Sequence, residues 1–237
     1  MHLCAVNNDN IKTQTMNTAV SKTKVAIIGL GNIGKAMATN LTKGNQPVII
    51  ASRDLNKAKE FALSLGSSAT AEEITVAIKN ADIVIPAVYF DKIKEFLKTY
   101  ANELAGKIII DVSNPIAPDG KGGFKKIIDQ DQSAGKILSE LTPADTVFVK
   151  AFGTLGAGSL VSAAFSEPER NVLFYASDNT NSNNKIEALI TASGFAPFHI
   201  GGIDQSIRIE VFGDLHEFGA LGKTVTLEEA GKSVHQR

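Results

Sequence analysis

Lys24 to Arg53 reads KVAIIGLGNIGKAMATNLTKGNQPVIIASR, and the fold turns on how this stretch is interpreted. Val25-Ala26-Ile27-Ile28 is a short, uncharged, largely β-branched run, as in a parallel strand covered on both faces. Gly29-Leu30-Gly31-Asn32-Ile33-Gly34 follows at once and fits G-x-G-x-x-G. Lys35 to Leu41 then carries apolar residues at helical spacing, and Pro47-Val48-Ile49-Ile50-Ala51 reads as a second strand. Strand, glycine turn, helix and strand in that order make a βαβ unit that binds a dinucleotide. Gly29 would allow the tight turn, Gly31 the close approach of backbone to a pyrophosphate, and Gly34 the packing of helix on sheet. The helix amino end would offer N–H groups and partial positive charge to the phosphates.

The end of the second strand selects between dinucleotides. An NAD site places an acid there to accept from the ribose 2′-hydroxyl, whereas this chain has Ser52-Arg53, with Lys57 on the first turn of the next helix. Two charge-assisted hydrogen bonds to a 2′-phosphate would favour NADP by on the order of a hundredfold. Asp54 reads as the N-cap of the helix that begins at Leu55, not as a ribose ligand.

Working outward, Asp54 to Leu65 reads as a helix ended by Gly66, and Thr70 to Asn80 as another. Asp82 to Ile85 is a buried strand, so Ala87 and Val88, just past its carboxyl end, should wall the cofactor. Tyr89 and Lys92 invite a catalytic reading as phenol acid and lysine, but their spacing does not put both on one helical face, and a loop Tyr more often packs. Asp91 to Leu104 is an amphipathic helix, and Lys107 to Val112 a strand that leads into Ser113-Asn114-Pro115. Asn114 is both a turn residue before proline and a candidate to face the nicotinamide side of the cleft. Pro118 to Ala134 reads as surface loop, Ser133 to Leu141 as a helix, and Thr146 to Phe152 as a strand. Gly153 to Gly158 offers a third place for backbone to approach a ligand. Val172 to Ala176, Asn184 to Ser193 and Phe195 to Ile200 read as strand, helix and strand. Ile203 to Leu221 shows a helical stripe of Ile203, Ile207, Val211, Leu215 and Phe218, with His216 off it.

The totals bound the remaining possibilities. A 43% hydrophobic, 21% charged chain of 237 residues is that of a globular protein with a sizeable core. With a net charge of −1 and no basic run, neither nucleic acid nor a membrane surface is an expected partner. The single cysteine, Cys4, has no internal disulfide partner, which suits a cytoplasmic location. The four histidines show no metal-ligand spacing, so no metal is expected. Residues 1–22 read as a flexible tail without signal-peptide pattern, and Met16 is a candidate start of translation.

Taken together, GLGNIG, Ser52-Arg53 with Lys57, DVSNP at Asp111 to Pro115, VKAF at Val149 to Phe152 and GIDQSIRIE from Gly202 to Glu210 resemble the F420-dependent NADP reductases. The resemblance covers roughly residues 24–217. It implies a Rossmann-type, doubly wound, mainly parallel α/β sheet in residues 23–155 and a small carboxyl-terminal domain, 156–237, that closes the cleft. It further implies NADP on Gly29, Leu30, Gly31, Asn32, Ile33, Gly34, Ser52, Arg53 and Lys57, a nicotinamide near Ala87, Val88, Asn114 and Ala151, and a homodimer. Hydride would pass to a small-molecule acceptor, a deazaflavin such as coenzyme F420 or a flavin. The family commonly continues VKAF with Asn-Thr where this chain has Gly153-Thr154, which leaves the acceptor open. Two alternatives stand beside it: an NADPH-dependent reductase of a small carbonyl or imine, and a non-catalytic NADPH-binding or redox-sensing protein. No residue stands out in the sequence as a catalytic acid.

Overall fold

A computed structural model describes residues 23–235, so the expected tail at 1–22 and Met16 lie outside the described residues. Strand β1 (Val25–Ile28) leads through the glycine turn into α1 (Asn32–Lys43) and β2 (Val48–Ala51). Then come α2 (Leu55–Ser64), β3 (Ala69–Ala71), α3 (Ile74–Asn80), β4 (Ile83–Pro86), α4 (Phe90–Thr99), α5 (Ala101–Leu104) and β5 (Ile108–Asp111). A hairpin of β6 (Ile116–Pro118) and β7 (Phe124–Lys126) follows, then α6 (Ala134–Ser139), β8 (Val147–Ala151) and α7 (Ala157–Ser162). The chain ends with β9 (Val172–Ser177), α8 (Asn183–Ala192), β10 (Ala196–His199), a 3-10 helix at Ile203–Ile209 and α9 (Leu227–His235).

Eight strands form one sheet in the order β10-β9-β8-β5-β4-β1-β2-β3, and only the β8–β9 pair is antiparallel. This is the doubly wound, mainly parallel α/β fold that the sequence implies. Every residue of β1, β4 and β5 is buried, because helices cover both faces. Alternation sorts the side chains: Val25, Ile27, Ile83, Ile85, Ile108 and Ile110 pack on one face, and Ala26, Ile28, Val84 and Ile109 on the other. Each fully buried Ile or Val contributes about 1.5–3 kcal/mol of transfer free energy, which gives the sheet centre its rigidity.

Close approaches fix the helices on that sheet. A Cβ at Gly44, which ends α1, would lie 1.8 Å from the carbonyl oxygen of Ala192 at the end of α8. Asn40, buried on α1, donates to the Leu160 carbonyl of α7 at 2.7 Å, so its amide is satisfied.

Four details depart from the sequence reading. The boundary expected at residue 155 does not divide the sheet, since β9 hydrogen-bonds β8 and β10 extends the same layer. β3 is a three-residue edge strand where a helix start was expected, and α3 begins at Ile74. Pro118 to Ala134 contains half of a hairpin, whose glycine loop closes on Asp119: its Oδ1 accepts from Lys121 N at 2.7 Å and Gly123 N at 2.9 Å. Those amides hold the Asp119 carboxyl below the ordinary carboxylate range, and an acid at its centre makes the loop unsuited to phosphate.

The fourth concerns residues 203–221, which do not form a long helix. After Ile209 the backbone N–H of Val211 goes to the Asn114 side chain, and Gly213 and Gly219 cross so closely that a Cβ on Gly219 would lie 1.8 Å from the Gly213 carbonyl oxygen. Phe212 there has φ of 71°, outside helical space. Tertiary hydrogen bonds override the helical period.

Candidate dinucleotide site

The turn after β1 sits at the point where the sheet order reverses, between β1 and β4, the crevice in which open α/β sheets bind ligands. Gly29 has φ of 116° and donates to Ala51 O of β2 at 2.8 Å, while Ala87 N of the β4 loop donates to Ile28 O at 2.8 Å. A Cβ at Gly29 would lie 2.6 Å from Ala87 O and 3.0 Å from Val88 Cγ1. The expected neighbours Ala87 and Val88 therefore do stand at this turn, half-buried. Gly34 is equally constrained, for a Cβ there would lie 2.2 Å from Gly29 O.

Gly31 is the exception. It occupies the N-cap of α1, is exposed with Asn32, and a Cβ built on it would meet nothing within 4 Å. It brings no capping side chain, and the first turn of α1 holds no acid. The amide groups at this helix end thus have room and positive potential for an anionic ligand, so a pyrophosphate fits the residues present. Leu30 and Ile33 are half-buried and pack on the core beneath, which holds the turn in place.

At the end of β2, Ser52 is half-buried and Arg53 and Lys57 are exposed, on the same edge as the glycine turn. Ser52 Oγ donates to Asp54 O at 2.6 Å. Asp54 is the N-cap of α2, as expected: its Oδ1 accepts from Lys57 N at 3.1 Å, and Oδ2 lies 3.7 Å from Lys57 Nζ. That ion pair is exposed on both sides and weak, so Lys57 can turn to another anion at little cost. Arg53 forms no ion pair among the described residues.

On the other side of β1 the edge is built differently. Asn114, three residues past β5, donates from Nδ2 to Gly153 O at 2.9 Å and accepts at Oδ1 from Val211 N at 2.7 Å. Its amide joins the ends of β5 and β8 to the carboxyl-terminal segment, a joining role that the nicotinamide reading did not include. Ala151 is 0% exposed and sits in the core, opposite Tyr175 in β9. It therefore cannot wall a cofactor with its side chain. β8 is covered on both faces, so Val149, Lys150 and Ala151 are all buried.

The Gly153 to Gly158 stretch is likewise filled by the chain itself. Glu217 accepts from Gly156 N at the N-cap of α7, so a carboxylate already takes the place a phosphate would need. Phe152 is buried with φ of 62°, a conformation bulky residues seldom adopt.

Sequence reasoning missed the polar core behind this edge. Lys150 Nζ and Asp111 Oδ2 are 2.6 Å apart and both buried, Asp111 Oδ1 accepts from Ser113 N at 2.9 Å, and Lys150 also donates to Ser113 O. DVSNP and VKAF were thus two halves of one ion pair. His216, 1% exposed, accepts at Nδ1 from Phe218 N at 2.9 Å, which leaves Nε2–H to donate to Gly153 O at 2.9 Å. Burial, with the Lys150 charge adding to it against the opposing Gly153 bond, pushes its pKa down from 6.5 to about 4, so the ring is neutral. The signal available was charged or ionisable residues inside apolar runs at strand ends. Tyr89 is exposed at the start of α4, and Lys92 pairs with Glu95 at 3.3 Å, so the two do not form a catalytic pair.

With this geometry in place, residues 24–115 match the family of coenzyme F420-dependent NADP oxidoreductases. The match takes in β1 to β5 of the sheet. Among members and relatives, the F420-dependent NADP reductase of Methanothermobacter thermautotrophicus is 26% identical over 198 residues, which are 79% of this chain and 84% of that protein. Metalloreductase STEAP3 of Rattus norvegicus is 30% identical over 187 residues, 79% of this chain. The chain spans 36% of that protein's length. A crystal structure of a hypothetical protein from Sinorhizobium meliloti superposes with a TM-score of 0.75 at 30% identity, covering 86% of this chain and 95% of the other. Among the described residues no helix is long and apolar enough to cross a membrane, and no cluster of three His, Cys, Asp or Glu could hold a metal.

Proposed function

We propose that this oxidoreductase binds NADPH and passes hydride to a flat deazaflavin- or flavin-like acceptor. The observation that carries the cofactor half is exposed Arg53, beside Ser52, where an NAD site would present an acid. The nearest acid, Asp54, is turned to the amides of α2. Gly31 and the first turn of α1 hold the pyrophosphate, and Arg53, Ser52 and Lys57 the 2′-phosphate, with Arg53 as a planar fork and Lys57 as a mobile charge. The reversal of strand order at β1 supports a reading in which the other half of the dinucleotide extends toward β4 and β5.

When bound, NADPH supplies the hydride. The protein's part is to orient two rings and exclude water between them. Reduction of a carbonyl would instead require a proton donor for the developing alkoxide. The ionisable groups behind the β5 and β8 edge are otherwise engaged: Lys150 with Asp111, His216 at both ring nitrogens, Glu217 with Gly156. That favours a ring acceptor, which takes hydride at one atom and a proton from solvent at another.

The test pairs Arg53→Ala with NADPH and NADH titrations. The variant should weaken NADPH by on the order of a hundredfold and leave NADH nearly unchanged. Equal losses would contradict the cofactor assignment. Following NADPH absorbance with FMN, a 5-deazaflavin, ferric chelates and small carbonyls decides the acceptor, and activity with carbonyls alone would contradict the ring reading.

A further inference from the structure

Of the twelve phenylalanines in the chain, only Phe124, Phe212 and Phe218 are exposed, at 60%, 52% and 60%. All three belong to segments beyond the carboxyl ends of β5 and β8. The backbone at Phe212 runs beside the turn that carries Phe218, because the Gly213–Gly219 crossing brings the Phe212 carbonyl carbon within 3.0 Å of a Cβ built on Gly219. Phe218 lies over Gly156, with Cε2 3.0 Å from a Cβ placed there.

We propose that Phe212 and Phe218 form the platform on which the acceptor's tricyclic ring stacks. The inference rests on the hydride-transfer reading above and assigns residues to its second substrate. Two observations and the chemistry of the acceptor carry it. The pair stands on the side of β1 opposite to Arg53, at the β5 and β8 ends, about 10–14 Å or two to three strand spacings from the phosphate turn. The backbone that carries each ring is held by hydrogen bonds. Phe218 N donates to His216 Nδ1, His216 in turn holds Gly153 O, and its ring lies 5.5 Å from that of Phe218. Phe212 is fixed on one side by Val211 N on Asn114 and on the other by Gly213 N on Glu210 O at 2.8 Å. Finally, an isoalloxazine-type ring has two large apolar faces that water solvates poorly, and an offset stack against phenylalanine suits it. Rigid aromatic groups lose little entropy on binding, so exposure is offset when the ring arrives.

Equilibrium binding of FMN and of a 5-deazaflavin to the NADP-loaded protein, read by fluorescence quenching, tests the platform without turnover. Phe212→Gly, which suits the left-handed backbone, and Phe218→Ala should each weaken both probes about tenfold, with NADPH affinity and melting temperature unchanged. Phe218→Tyr should retain affinity. Unaltered affinity in the Gly and Ala variants would overturn the platform alone. Loss of a sedimenting dimer in those variants, with probe affinity unaltered, would overturn it too, by making the rings a subunit contact. A wild-type protein that binds NADPH but neither probe would overturn the acceptor reading and the platform with it.

Discussion

Lys150 and Asp111 face each other in register across β8 and β5, with Nζ 2.6 Å from Oδ2 and side chains 1% and 0% exposed. The pair ties the two strands at the edge where hydride transfer is proposed, and through Ser113 N–H and C=O it shapes the loop that carries Asn114. Breaking such a pair leaves a buried charge without compensation, at about 3–5 kcal/mol. Asp111→Asn keeps an acceptor for Ser113 N and removes only the charge. Asp111→Asn and Lys150→Met should each lower stability by that order, and the double variant by clearly less than the sum. A urea double-mutant cycle measures it, and strict additivity would show that the pair is not coupled.

Gly31 and Gly34 separate binding from folding. At Gly34 a Cβ would meet backbone, the Gly29 carbonyl oxygen at 2.2 Å, which cannot swing away. Gly34→Ala should cost about 1–3 kcal/mol in urea unfolding. Gly31→Ala meets nothing within 4 Å, so stability should stay within about 0.5 kcal/mol. The same methyl stands where the pyrophosphate would approach the α1 amides, and calorimetry should show NADPH affinity falling by about tenfold or more.

The β1 to β2 part of the fold was legible in the sequence because its signals are local. Val25 to Ile28, the glycine turn and Asp54 as N-cap each depend on residues within a few positions of one another, and all three appear as read. The second half was not legible for the same reason reversed. Val211 and Glu210 leave the helical period to meet Asn114 and the amides of Ala134 and Gly135, partners 75 or more residues away. Ala151 was placed beside the cofactor from its motif, yet it lies in a strand covered on both faces and is fully buried. His216 was assigned off an apolar stripe that never forms, and is buried.

Asn114 is a joint whose loss should be felt at a distance. Gly153 O keeps His216 as a donor when Asn114 is removed, but Val211 N loses its acceptor. Asn114→Ala should therefore cost about 1–3 kcal/mol, chiefly through that orphaned amide. Hydrogen exchange should place the effect: Val211 and the 212–219 turn should exchange faster, while β1 and α1 stay protected. Uniform acceleration across the sheet would contradict a joint confined to the carboxyl-terminal segment.

His216 makes stability depend on pH in a defined window. Its pKa is about 4 when folded, against an ordinary value of 6.5, so the unfolded chain binds the extra proton between those values. Stability is therefore full above about pH 6.5 and falls as pH drops toward 4, by about 3 kcal/mol for this one group. Protonation also turns Nδ1 from acceptor to donor, which expels the Phe218 N–H and loosens the turn that carries Phe212. His216→Gln keeps an amide to donate to Gly153 O and cannot be protonated in this range. Urea unfolding at pH 7, 6, 5 and 4 should show the acid limb flattened in that variant relative to the wild type, and parallel limbs in the two proteins would show that the imidazole is not the group responsible.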